Sequence, residues 1–141
     1  MFHVSKSSWH GFSDYSTMGN RIWIGWNEDE LNVEVLLVHL QFIHCKLHIR
    51  RSHVIMFVTI VYGANDIGTR RELWQELRGL ASGVSNEPWL MLGDFNKVLD
   101  MSEVCGHSGD IQLAIEEFRN CLLDSGHHLT DAGLYIHVAQ L

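Results

Sequence analysis

Asp94 and Asn96 stand two positions apart, just past the apolar run Trp89-Leu90-Met91-Leu92 and the glycine Gly93. In an extended chain side chains alternate, so Asp94 and Asn96 project to one side while Phe95 turns to the core. A carboxylate that can take a proton or hold a cation is thereby paired with an amide that donates and accepts. Tyr62-Gly63-Ala64-Asn65 ends a second apolar run in the same way, with a hydroxyl and another amide. A Gly-Asp turn with an asparagine cap is the plain alternative for either stretch. Two strands delivering Asp-x-Asn and Tyr-x-x-Asn together look like a phosphate and metal site.

The positioning elements follow from hydrophobic spacing. Pro88 to Leu92, opened by the chain's only proline, reads as a short strand buried on both faces, and Val54 to Tyr62 as a central strand. Open α/β sheets place their ligands at such strand ends. Arg21 to Trp26 reads as a strand with Ile22, Ile24 and Trp26 on one face, and Asn27-Glu28-Asp29-Glu30 as a solvated acidic turn. Val33 to Leu40 and Gln41 to Ile49 read as two strands or one bent one. In the latter, His44, Lys46 and His48 share a face read as exposed and polar, without the donors a zinc site needs. Thr69-Arg70-Arg71-Glu72 has capping-box spacing for a helix ended by Gly83, with Leu73, Leu77, Leu80 and Ala81 as its stripe. Trp74 reads as packing rather than base stacking. Asp110 caps a second helix with the stripe Ile111, Ala114, Ile115, Phe118 and Leu122, ended by Gly126. Leu134 to Val138 is a last short strand. Met1 to Gly19, and the stretch from Asn96 to Gly109 with Glu103 and Gly106 inside it, read as loop.

Composition narrows the class. A chain of 141 residues with 46% hydrophobic residues fits one domain with a core. No apolar run is long enough to span a bilayer, and the first residues lack a secretion signal's apolar centre. Three scattered cysteines suit a reduced compartment, so a nuclear or cytoplasmic, non-secreted protein is expected. The net charge of -7 argues against an obvious nucleic-acid binder, because phosphate contacts need clustered Lys and Arg. A metal-dependent phosphodiesterase can still be acidic around its site, since the cation supplies the positive charge.

Gly93-Asp94-Phe95-Asn96 after its strand, with Tyr62-x-x-Asn65 upstream, resembles the endonuclease/exonuclease/phosphatase superfamily, the DNase I-like fold. Gly19-Asn20-Arg21-Ile22-Trp23-Ile24-Gly25-Trp26, Gln41-Phe42-Ile43-His44-Cys45, Val61-Tyr62-Gly63-Ala64-Asn65 and Arg70-Arg71-Glu72-Leu73-Trp74 are similar to the endonuclease region of plant LINE-type retrotransposons. The resemblance runs from about Trp9 to Asp131. It implies part of a DNase I-like four-layer α/β sandwich, a mixed sheet with two main helices, over residues 1–141. It also implies Mg²⁺ as cofactor and DNA as partner. Carried over, Asp94 has the water or metal role, Asn96 steadies nucleophile or phosphate, Tyr62 donates to the phosphate, and Asn65 contacts the nucleic-acid backbone or orders its loop.

The family's early Glu strand would lie before residue 1, and its late Asp-His pair beyond Leu141. Gly133-Leu134-Tyr135-Ile136-His137 also departs from the family's pattern. The expected function is therefore a fragment of a Mg²⁺-dependent DNA-nicking endonuclease, inactive as it stands. A non-catalytic retroelement remnant, with residual nucleic-acid binding or none, is the alternative. A phospholipid or inositol-phosphate enzyme is disfavoured by the retroelement wording. With only two helices to cover a two-faced sheet, the chain is expected to be marginally stable and to self-associate through an uncovered sheet face.

Overall fold

The computed structural model describes residues 9–13, 21–84, 87–96, 109–124, 127–129 and 135–137. For the strands at 9–13, 127–129 and 135–137, and for 109–115 and 118, it defines the backbone alone. The elements are β1 (Trp9–Ser13), β2 (Trp23–Asn27), β3 (Leu31–His39), β4 (Phe42–Ile49), β5 (Val54–Tyr62), α1 (Ile67–Val84), β6 (Trp89–Asp94), α2 (Gly109–Asp124), β7 (His127–Leu129) and β8 (Tyr135–His137). The class is α/β, with a mixed sheet and two helices.

The larger sheet runs β3-β4-β5-β6-β8-β7. β3, β4 and β5 form an antiparallel meander, while β5 and β6 are parallel and joined through α1. The runs Val54 to Tyr62 and Trp89 to Leu92 thus lie side by side near its middle, where strands buried on both faces belong.

One face carries the helices. Phe42, Phe57, Val61, Trp89 and Met91 project from it against Leu73, Trp74 and Leu77 of α1 and Cys121 and Leu122 of α2, all buried. Trp74 stacks on Phe95, with ring centroids 6.4 Å apart, so its role is packing as its flanking position implied. Arg71 pairs with Glu117 at 2.9 Å and Arg78 with Asp124 at 3.0 Å, tying the two helices together. The side chains of Ile111, Ala114, Ile115 and Phe118, and the whole of 97–108 with Glu103 and Gly106, lie outside what is described.

The opposite face is met by a second, two-stranded sheet. Residues 9–13, read from sequence as loop, form β1 and pair antiparallel with β2 from Trp9↔Asn27 to Ser13↔Trp23. The run has no hydrophobic period of its own; pairing with β2 supplies its order. Ile22 and Ile24 then pack on Ile43, Cys45, Val33, Val35, Leu47 and Ile60. The described residues therefore give three layers (helices, large sheet, small sheet), and the second face is partly covered from the N-terminal side.

Two local expectations are corrected. α1 begins at Ile67 rather than Thr69, because Asp66 is the cap. Its Oδ2 accepts the Thr69 N–H at 2.7 Å and the Thr69 hydroxyl at 2.8 Å, closing the first turn. These bonds, the backbone one foremost, hold the Asp66 carboxyl below its usual range. His44, read as exposed, is 4% accessible. Its register partner is Thr59, whose hydroxyl lies 2.8 Å from His44 Nδ1 and accepts Trp89 Nε1–H at 2.9 Å. The imidazole stacks on Phe57 and meets the edge of Trp89. An alternating sequence shows which residues share a face, and the helices decide that this one is covered.

Candidate functional site

The C-terminal ends of β5 and β6 arrive at one end of the sheet in step, with Tyr62 the register partner of Asp94. Both side chains lie on the face towards β2, on neighbouring strands that run about 4.8 Å apart. Asp94 is exposed and Tyr62 half-buried, so the phenol is partly held while the carboxylate meets solvent.

Beyond Asp94 the chain does not continue extended. Asn96 adopts φ 48°, the left-handed region that asparagine tolerates better than most residues. Its N–H bonds back to Asp94 Oδ1 at 2.8 Å, and its side-chain amide donates to the Gly63 carbonyl. The expectation of strict alternation from Asp94 to Asn96 is thus replaced by an Asx turn. Phe95 is buried as expected. Asn65 is exposed in the loop after Gly63, and its carbonyl accepts a bond from Arg70 at 3.1 Å. Tyr62, Asn65, Asp94 and Asn96 therefore gather at one end, with the Asn96 backbone N–H and one of its side-chain amide N–H groups already engaged.

Two glycines permit this close approach. Gly93 has φ +131°, and a Cβ there would overlap the Val61 carbonyl oxygen. At Gly63 a Cβ would lie 2.7 Å from the Phe95 carbonyl oxygen.

Three residues that carry the site were not singled out by their chemistry. Arg70 is 6% accessible and sends Nη1 to the carbonyls of Ala64 at 2.8 Å, Asn65 at 3.1 Å and Asn96 at 2.9 Å. Its Nε is buried without a hydrogen-bond partner. Burial lowers the guanidinium pKa and nearby Asp66 opposes that shift. Gln41, fully buried, accepts the Ala64 N–H at 2.8 Å and donates to the Thr69 carbonyl at 2.8 Å, locking the β3–β4 turn to the β5–α1 loop. Arg21 donates to the Tyr62 hydroxyl at 3.1 Å, with its guanidinium carbon 5.0 Å from the ring centroid. All three lie inside the retroelement-like stretches, where nothing local in the sequence marks them for contacts at this end of the sheet.

The electrostatics suit an anion on the tyrosine side. A hydroxyl that accepts from arginine keeps its own proton to donate elsewhere, so Tyr62 and Arg21 together present positive hydrogen-bonding character. Asp94 beside them can accept a proton or hold water. For a resident Mg²⁺ the fit is poor among the described residues. No group of three or more His, Cys, Asp or Glu side chains is placed to hold a metal there. Asp94 brings one carboxylate to this end, with one oxygen on the Asn96 N–H, whereas Mg²⁺ needs a near-octahedral oxygen set. The donors this end offers to an anion are the Tyr62 hydroxyl and the Arg21 guanidinium.

No helix of the described residues is long and apolar enough to cross a membrane. No protein-family model matches the chain, and no curated protein matches it. Among solved structures, the human Nocturnin catalytic domain with bound sulfate anion is similar at 14% identity and a TM-score of 0.40. The alignment covers 64% of this chain and 44% of that one, so the chain spans less than half of that domain's length.

Proposed function

We propose that residues 1–141 are part of a phosphodiester-cleaving domain of the endonuclease/exonuclease/phosphatase kind, of retroelement type and directed at DNA. The carrying observation is the pairing of Tyr62 with Asp94 at the C-terminal ends of adjacent parallel strands. In this reading Tyr62, backed by Arg21, donates to a phosphate oxygen, and Asn65 contacts the backbone beside it. Asp94 holds the water, and Asn96 fixes the loop that presents it. A nuclear or cytoplasmic location goes with that reading.

The same reading has the chain binding rather than cutting. Cleaving a phosphodiester needs a base for the water and positive charge on the developing oxyanion. Asp94 alone is an incomplete ligand set for the cation that the family relies on, and among the described residues no group of three or more His, Cys, Asp or Glu side chains is placed to hold one. This favours a non-catalytic remnant with residual nucleic-acid binding over a working nuclease.

Supercoiled plasmid incubated with the purified chain and Mg²⁺ or Mn²⁺ is the test. The plasmid should stay supercoiled. Nicking that disappears in Asp94→Ala would establish catalysis and overturn the inactive assignment.

A further inference from the structure

We propose that Arg70 is a positioning residue for the phosphate, its buried guanidinium supplying positive charge that draws a phosphodiester to the ends of β5 and β6. This rests on the phosphodiester reading above and adds to it a source of the attraction.

Arg70 lies in the first turn of α1 and is 6% accessible, an uncommon place for an arginine with no carboxylate against it. Its Nη1 takes the carbonyls of Ala64, Asn65 and Asn96, and no carboxylate of the described residues comes within ion-pair distance. The Asp66 carboxylate acts on it through space, but is exposed and bonded to Thr69. Burying a cation with so little compensation is costly, and Nε is left without an acceptor. Tying loops together needs a donor, not a charge.

The charge sits directly beneath the candidate site. Two of the three carbonyls belong to Asn65 and Asn96, which the phosphate reading places there. The peptides are trans, so a carbonyl turned inward to Nη1 directs the N–H of its own peptide outward. For the Ala64 and Asn65 carbonyls, those are the N–H groups of Asn65 and Asp66, both exposed residues. The bonded peptides thus turn the positive ends of their dipoles towards an approaching anion, with the guanidinium behind them. A chain of net charge -7 repels anions at long range, and a fixed cation under this end offsets that locally.

The experiment compares a thymidine dinucleotide with its methylphosphonate analogue, which has nearly the same shape and no charge, by NMR titration at low salt. The wild-type chain should bind the phosphodiester more tightly. Arg70→Gln keeps a donor and loses the charge. It should weaken phosphodiester binding about ten-fold, the scale of a unit charge acting over about 10 Å at an effective dielectric constant of about 20. Binding of the analogue should not change, and Arg70→Lys should restore most of the phosphodiester affinity. Arg70→Met takes the place of Arg70→Gln if the latter does not fold. Equal weakening of both ligands would make Arg70 a structural tie alone. That result, unchanged phosphodiester affinity in Arg70→Gln, or a lysine variant as weak as the glutamine one would overturn the proposal. In each case the wild-type preference for the phosphodiester leaves the phosphate reading standing. If the wild-type chain binds neither ligand, or both equally, the phosphate reading fails and the role of Arg70 fails with it.

Discussion

The Asn96 side chain donates to the Gly63 carbonyl, joining the loop after β6 to the loop after β5. Gly63 N–H in turn donates to the Asp94 carbonyl at 2.7 Å, so the two strand ends are cross-tied in both directions. The candidate site is therefore a knot of backbone and amide bonds on which Tyr62 and Asp94 stand, and its rigidity can be tested piece by piece.

Gly93→Ala should be among the most damaging single changes. The φ of +131° disfavours any Cβ, and the Val61 carbonyl occupies its place. A loss of more than about 2 kcal/mol in urea unfolding is expected from strain at such a position. Wild-type stability in the alanine variant would show that β5 and β6 separate more easily than described.

Replacing Arg70 by methionine keeps most of the buried volume and removes the donor shared by three carbonyls. Hydrogen bonds from a charged donor contribute about 1.5–3 kcal/mol each, and the unbonded Nε and the desolvated charge offset part of that. A net loss of about 2 kcal/mol is expected, with faster amide exchange at Gly63 and Asn96. Unchanged exchange there would remove Arg70 from its role as organiser.

His44 makes stability depend on pH in a defined window. Burial lowers its pKa from 6.5 to about 4. The unfolded chain therefore binds the proton more readily than the native one, so stability is fully present above about 6.5 and declines as pH falls towards 4. The decline attributable to this residue is about 2–3 kcal/mol. His44→Leu should flatten that part of the profile, measured by chemical unfolding at several pH values. An identical profile in the variant would place the sensitivity elsewhere.

Much of the fold was legible because the two central strands are apolar on both faces and end in recognisable turn residues. The apolar run Val54 to Tyr62 coincides with β5, and Trp74, on the flank of the α1 stripe, packs as that position implies. The features without a local signal depend on contacts distant in sequence. His44 is covered because Thr59, Phe57 and Trp89 surround it. β1 exists through its pairing with β2, and Arg70 and Gln41 matter through loops they reach across 26 and 23 residues. No local period could announce these.

Self-association remains an expected behaviour despite the small sheet over the second face. Leu36, Leu37 and Leu40, at the end of edge strand β3 and in the turn after it, are exposed, at 44%, 39% and 52%. Exposed apolar side chains grouped on an edge strand promote association. Sedimentation velocity should show dimers or larger species that shrink when Leu37→Lys and Leu40→Lys are combined. A monomer at all concentrations would show that the edge is sufficiently protected.

On the proposed function, the paired ends of β5 and β6 face a phosphate. The most direct measurement is an amide NMR titration with a thymidine dinucleotide, comparing the wild-type chain with Tyr62→Phe. Shifts should concentrate at Tyr62, Gly63, Asn65, Asp94 and Asn96 and weaken when the hydroxyl is removed. Shifts centred instead on Lys46 and His48, towards the opposite end of the sheet, or none at saturating dinucleotide, would contradict the phosphate reading.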